Sequence, residues 1–455
     1  MELAGRSRVL VLVGILFTIG LAGVDGTVVG TVMPVAIREL GGSGLYAWAF
    51  AAYMLATAVS MPVWGPGSDR WGRKRTFLVG VAVFVAGSAL CAAAPTMPVF
   101  IAARALQGIG AGAVTSLPFI VLGVVFPPEK RAKALGIAAS AWAVSSVGGP
   151  LLGTAIVANA SWRWVFLVNV PIGALATALV LSAMPESFGH RAGRFDILGS
   201  AFAGLGGSAL IWAFVDFGEG SVGALEWTLV AAGLALLAAF VWHEGRAEHP
   251  ILPLAFFRHR GYATAMAISF LTSFSAFGVS AVLPLRTSEV FGAPAAVGLV
   301  VGSFTIGWSG AALVSGRLVH RWGERVFALV GLIVHAAGLL ALATVFDRGL
   351  YAVAGGAALA GVGMGLLNPG ITVTVQNSVE VQRMGSATTS QQFTRQVGAA
   401  LGVGSFVLAA NVGGFGVGIG LMVAVTAAAL LCAFGLPRTS LGSRAGSPSG
   451  VAPEP

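Results

Sequence analysis

The sequence predicts an all-α polytopic membrane protein of fourteen spans, two six-helix halves with two further helices inserted between them. Three observations point there: composition, the succession of apolar runs, and an internal repeat. Of 455 residues, 56% are hydrophobic and only 9% charged, where an average soluble protein is about 25% charged. So little charge cannot cover the surface of the soluble domains this length would make. So much apolar side chain also excludes a disordered chain.

A helix needs about 20 mostly apolar residues to cross the hydrocarbon core, and fourteen such runs lie between charge clusters and turn residues. The first, 9–35, follows Arg6 and Arg8 and continues past Asp25, too long for a secretory leader and without a small-residue cleavage site. Runs at 46–66, 76–94, 98–125, 134–158 and 163–183 complete a first half, 1–186. A linker, 187–261, carries spans A (197–215) and B (226–242). The second half, 262–436, holds runs at 262–285, 295–317, 326–345, 350–375, 387–410 and 415–436. The tail, 437–455, is rich in Gly, Ser and Pro and is expected to be disordered.

Charge sets the orientation. With the amino terminus inside, 20 of the 26 Lys and Arg fall in cytoplasmic segments, four fall outside, and Arg104 and Arg395 lie within spans. Ten of 17 acids are inside, six outside, and Asp25 is within a span. Miscounting by one span would invert every later loop and spoil this bias, so an even count with both termini cytoplasmic is expected. The net charge of +9 is then a topological signal and not a nucleic-acid footprint. Cys91 and Cys432 both sit in apolar runs and read as small buried hydrophobes rather than a disulfide.

The repeat relates the halves. Gly65 to Lys74 reads GPGSDRWGRK and Gly316 to Arg325 reads GRLVHRWGER, an offset of 251 residues. Near that offset Pro34 meets Pro284, and glycines 108, 110 and 112 meet Gly361, Gly363 and Gly365. Parallel repeats of this kind place a substrate site between the halves in one large class of transporters.

With these residues the sequence resembles the major facilitator superfamily, and within it the fourteen-span drug:proton antiporters of the multidrug efflux type. The loop Gly65-Pro-Gly-Ser-Asp69-Arg70-Trp-Gly72-Arg73-Lys74 is similar to the superfamily's most specific signature. Arg104-Ala-Leu-Gln107-Gly108 and Gly149-Pro150 with Gly153 are similar to further family motifs, the latter to the antiporter motif of span 5. Val24-Asp25-Gly-Thr27, the stretch Trp162 to Gly173, Arg194-Phe-Asp196 before span A and His249-Pro250-Ile-Leu-Pro253 before span 7 resemble the fourteen-span group. Gly30, Ser145 and Thr154 depart from its usual residues, and the second-half loop has His320 and Glu324 where the first has Asp69 and Arg73.

Asp25 is the one carboxylate within a span, 17 residues from Arg8 and 13 from Arg38. An ionisable group beyond snorkelling reach is a functional candidate by default. A carboxyl moved between dry and wetted surroundings can take a proton on one side and release it on the other; a permanent structural ion pair is the alternative. Arg104 and Gln107 lie at compatible depth in span 4, so they are expected to tune that proton affinity. Ser275 stands at the equivalent position of the second half, which confines the expected coupling to the first.

The resemblance implies that the Asp69 loop latches the halves in the outward-facing state, and its basic residues could also hold anionic headgroups. Gly65 and Gly72 are expected to give its sharp turn. Gly148, Gly149, Pro150 and Gly153 imply close packing and a bend in span 5, and the resemblance adds a role in preventing leak. Asn368, Thr372 and Gln376 recur at helical spacing in span 10, and Thr388, Gln391, Gln392 and Arg395 lie near one face of span 11. They read either as cavity lining or as helix ends entering headgroups, with Arg395 within snorkelling reach. Phe270, Phe274 and Phe277 share a face of span 7 that fits lipid, or else an aromatic cavity that would include Ser275.

His335 is alone in span 9, and neither a metal-ligand spacing nor a phosphate-binding loop occurs. The expectation is a non-enzymatic, cofactor-free secondary antiporter of the bacterial cytoplasmic membrane, with the proton as coupling ion. Its partners would be the bilayer and a small hydrophobic substrate, neutral or monocationic, with no nucleic acid and a monomeric state. Export of an endogenous lipid, pigment or antibiotic, and uptake by proton symport, are the alternatives on the same fold.

Overall fold

The computed structural model describes residues 5–41, 46–185, 196–218, 223–247, 254–292 and 294–437. The tail beyond 437, the whole His249 to Pro253 motif and Arg194 lie outside the described residues. Among those described there is no strand. The first half comprises α1 (Gly5–Leu40), α2 (Tyr46–Trp71), α3 (Arg73–Ala93), α4 (Met97–Val125), α5 (Pro128–Asn159), α6 (Trp164–Leu167) and α7 (Asn169–Ala183). The inserted pair is α8 (Ile197–Gly218) and α9 (Ala224–Glu244). The second half comprises α10 (Arg260–Phe291), α11 (Pro294–Trp322), α12 (Glu324–Val345), α13 (Leu350–Asn377) and α14 (Met384–Ala433).

Every expected run falls on a helix or a helix arm. The 163–183 run is split into α6 and α7 at Val168. The last two runs are the arms of α14, which folds at Gly413 and Gly414, the latter at φ +80°, a conformation glycine adopts without penalty. Ten helices among the described residues are long and apolar enough to cross a membrane, with α14 counted once.

The glycine repeat explains how each half packs. A Cβ on Gly108 would strike the Tyr53 backbone of α2, and one on Gly110 the Phe84 backbone of α3. In the second half Gly361 meets Phe304 of α11 in the same way, and Gly363 meets His335 of α12. Each glycine helix therefore lies wedged between two neighbours at backbone distance, as small residues permit in membrane helices. Gly72 and Gly323, at φ +96° and +83°, make the matching turns from α2 to α3 and from α11 to α12. Gly65 does not help turn the chain, contrary to expectation. It lies within α2, where a Cβ would collide with Thr389 of α14.

The halves meet at the end of the bundle that carries the α2–α3 turn. There α5 packs on α11: a Cβ on Gly136 would meet the Ala312 carbonyl and one on Gly316 the Ala132 carbonyl, while Ser140 Oγ donates to the Ser309 carbonyl at 2.8 Å. The expected close approach at Gly148 is absent, since a Cβ there meets open space. At the opposite end Trp162 and Arg163 both donate to Glu39, at 3.0 and 2.6 Å, tying α1 to the α5–α6 turn. Those two hydrogen bonds, Trp162 first, hold the Glu39 carboxyl below its usual range. The inserted pair docks through small residues: Gly204 faces Val59 of α2, Gly207 faces Phe393 of α14, and Gly206 faces Gly233 of α9. Cys91 and Cys432 are free thiols.

Candidate functional site

Five helices converge on Asp25. Its position in mid-α1 buries it to 1% exposure, and Arg104 of α4 is 2% exposed. Arg104 Nη1 donates to Asp25 Oδ2 at 3.0 Å, and Gln107 Nε2, one helical turn further along α4, donates to Oδ1 at 2.7 Å. Arg104 Nη1 also donates to Gln107 Oε1 at 2.6 Å, which orients the amide. The split between α6 and α7 places Asn169 at a helix start, from which Nδ2 reaches Asp25 Oδ1 at 3.3 Å and Ser88 Oγ of α3 at 2.9 Å. The Tyr53 side chain of α2 completes the surroundings, its ring 4.0 Å from the Arg104 guanidinium. A buried ion pair holds only if its remaining lone pairs and protons are met, and here the carboxylate has donors on both oxygens.

The structure brings Asp25, Arg104 and Gln107 together. Sequence reasoning assigned no role to Tyr53, Ser88 or Asn169. The available signal was weak: each is one of several neutral polar side chains in its run, and Asn169 falls in the Trp162 to Gly173 stretch that resembles the fourteen-span group.

Next to this node lies a cavity of about 220 Å³ between the halves, lined by α1, α2, α4 and α5 on one side and α10, α11, α13 and α14 on the other. Gly26 and Tyr53 line it but Asp25 does not, so Tyr53 is the layer between cavity and carboxylate. Of the expected cavity residues, Asn368, Thr372 and Arg395 line it. Arg395 turns inward and donates from Nε to Ser273 Oγ at 3.4 Å instead of snorkelling outward.

Phe277 also lines the cavity and is not a lipid-facing residue. Ser275, Phe274, Gln376 and Gln391 lie outside it. Ser275 is drawn into α10–α14 packing by Thr426 Oγ1 at 2.8 Å, and a Cβ on Gly402 of α14 would strike the Phe274 backbone. Gln376 reaches across to the Phe119 carbonyl at 3.0 Å, and Gln391 faces away to Ser269 Oγ at 3.1 Å.

The Asp69 cluster joins the two halves at the end of the bundle that carries the α2–α3 turn. Asp69, in the last turn of α2, accepts from the Gly385 and Ser386 backbone N–H groups at 3.0 and 2.8 Å, at the start of α14. Arg73 lies 3.4 Å from Asp69 and donates to the Val381 carbonyl, also in the second half. Lys74 instead donates to the Leu181 carbonyl within its own half at 2.9 Å, and Arg70 is half-buried. Burial pushes the Asp69 carboxyl up to about 6, against the pull of Arg73 and the two backbone donors. Beyond the expected loop, Arg131 Nη1 donates to Asn377 Oδ1 at 2.9 Å across the same seam. Gly149 and Gly153 are buried in α5, which runs unbroken through Pro150; the Pro150 side chain lies outside the described part.

The model of the Major Facilitator Superfamily matches residues 15–403. The chain belongs to that superfamily. It is 31% identical over 401 residues to the multidrug transporter protein MdtP of Bacillus subtilis, covering 87% of this chain and 74% of that one. Multidrug resistance protein 3 of the same organism is 33% identical over 404 residues, 87% of this chain and 78% of the relative. Multidrug resistance protein Stp of Mycobacterium tuberculosis is 33% identical over 406 residues, 87% and 75%.

Among solved structures, the human organic anion transporter MFSD10 superposes with a TM-score of 0.72 at 15% identity, covering 94% of this chain and 99% of that one. A double tryptophan mutant of XylE gives 0.67 at 18%, with 96% of each covered. At these identities the likeness concerns the fold. This superfamily member is a multi-pass membrane protein with the major facilitator fold.

Proposed function

We propose that this superfamily member is a proton-coupled antiporter of the bacterial cytoplasmic membrane that exports lipophilic, drug-like compounds by alternating access. One observation carries the reading: a buried carboxylate–guanidinium pair, Asp25 with Arg104, separated by Tyr53 from a cavity lined by both halves. Multidrug names among the bacterial relatives support the substrate class, and the inside bias of Lys and Arg supports the orientation. In that orientation the Asp69–α14 contacts fall at the cytoplasmic end, which supports reading this as the outward-facing arrangement.

A proton arriving from outside would neutralise Asp25 and cancel its ionic attraction to Arg104. The node would then loosen and release its hold on α1, α4 and α7. Substrate binding from inside would favour return of the proton to the cytoplasm. Asp25 carries the proton, Arg104 and Gln107 set how tightly it is held, and the Asp69 latch decides which end is open.

The test uses everted membrane vesicles carrying an imposed pH gradient and Nile red as a neutral lipophilic probe. The wild type is expected to dissipate the gradient when dye is added, and Asp25→Asn to bind dye but leave the gradient intact. Dye-driven proton flux at the wild-type rate in Asp25→Asn would overturn the assignment.

A further inference from the structure

The cavity is chemically lopsided. Among its lining residues the one ionised side chain is Arg395, and no acid accompanies it. Arg395 makes no ion pair among the described residues; its contact is the neutral Ser273 hydroxyl. Two residues of the same lining carry a further buried donor without an acceptor among the described residues: Trp308 at Nε1, on a residue only 6% exposed, and Gln392 at Nε2. All three stand on the second half. The first half contributes Tyr53, Trp142, Phe119, Met61 and aliphatic side chains, with Thr57 and Thr115 donating their hydroxyl protons to the carbonyls of Tyr53 and Ala111.

A half-buried guanidinium without a counter-ion and two unmet N–H donors share one need, an acceptor carrying negative charge. The planar guanidinium fork matches a carboxylate or sulfonate in two parallel hydrogen bonds, and the aromatic wall suits an apolar ring. A cationic head would meet Arg395 in low-dielectric surroundings with no carboxylate to offset the repulsion. Asp25 cannot supply that offset, since it is sealed behind Tyr53 and already paired with Arg104.

We infer that the cavity selects lipophilic anions, with an acceptor-rich head on Arg395, Trp308 and Gln392 and an aromatic body against the first half. Beside the neutral substrates expected from the single buried acid, this sets anions, a class read from the cavity wall, above the expected monocations. It rests on the cavity being the substrate site proposed above. Binding is read at equilibrium with no proton gradient, so its outcome is separate from that of the Asp25→Asn vesicle test.

The experiment is isothermal titration of the purified protein in zwitterionic nanodiscs with two probes of matched shape, naphthalene-2-sulfonate and 2-naphthyltrimethylammonium. The sulfonate is expected to bind at least about tenfold more tightly, the scale of one charge-assisted hydrogen-bond pair. Arg395→Lys should keep the sign of that preference, and Arg395→Gln should bring the ratio to about one. Trp308→Phe keeps the ring and should weaken the sulfonate alone, by about threefold. Equal or tighter ammonium binding, no binding of either probe, or an undiminished preference in Arg395→Gln would each overturn the inference.

Discussion

The two halves share a backbone plan and differ in what they bury at its centre. In the first, Asp25 on α1 is held by Arg104, Gln107 and Asn169, with Tyr53 against the Arg104 guanidinium. In the second, Ser275 on α10 contacts His335 Nε2 at 3.2 Å and Thr426 Oγ1 at 2.8 Å, and His335 Nδ1 contacts the Ala360 carbonyl at 2.9 Å. His335 is the residue that Gly363 packs against, where Gly110 packs against Phe84 in the first half. The glycine wedge is thus common to both halves, while among the described residues the buried ion pair at its centre belongs to the first alone. A fold assembled from repeats needs the same close contacts in each copy, whereas the proton coupling proposed above calls for one switch. The latch divides the same way: Asp69 bridges the halves, and His320 at the matching position has no carboxylate with which to do so.

The sharpest way to break this comparison is to unpair the node. Arg104→Ala strands a buried carboxylate, a change that costs about 3–5 kcal/mol in comparable settings. Ser275→Ala removes one neutral hydrogen-bonding group and should cost about 1 kcal/mol. Thermal unfolding of the two variants in detergent should separate them widely. Adding Asp25→Asn to Arg104→Ala should recover much of the loss, because the stranded charge disappears. Similar losses for Arg104→Ala and Ser275→Ala would mean that the two nodes are alike in kind.

The latch comes next in size. Asp69→Ala leaves two backbone donors without an acceptor and is expected to shift the open–closed balance at that end toward open by about 1–3 kcal/mol. His320→Asn should leave it unchanged. Spin-label distances between the α5 and α11 ends would read both. Proton linkage sharpens the contrast. The latched carboxyl titrates near 6, whereas a water-exposed aspartate titrates near 3.9. The latched form therefore binds its proton more tightly and is favoured as pH falls from about 6 toward 4. That advantage is lost as pH rises through 6. Asp69→Asn should flatten the dependence.

The smallest expected effect is at Gly148, where a Cβ meets open space. Gly148→Ala should be neutral or stabilising by up to about 1 kcal/mol, the usual glycine penalty in a helix. Gly108→Ala should destabilise markedly, because the Tyr53 backbone has nowhere to go. Thermal unfolding of this pair separates a packing glycine from one that merely resembles it in sequence.

Hydrophobic runs of bilayer length, the repeated Arg-Trp-Gly turn and the spaced glycines made the helix order and the two-half plan legible from residues alone. Those features are local, or periodic at an offset that survives in one dimension. Asp25 and Arg104 were legible for the same reason, since a charge inside an apolar run stands out without knowledge of its neighbours. Tertiary structure decided which neutral groups complete the node, because Tyr53, Ser88 and Asn169 come from three other helices and carry no charge to betray them. It also decided which polar stripe residues face the cavity. Asn368, Thr372 and Arg395 do so while Gln376 and Gln391 do not, since helical spacing ranks faces and only packing chooses between them. The inward turn of Arg395 depends on the second half meeting the first across an open centre, an arrangement that no single helix encodes.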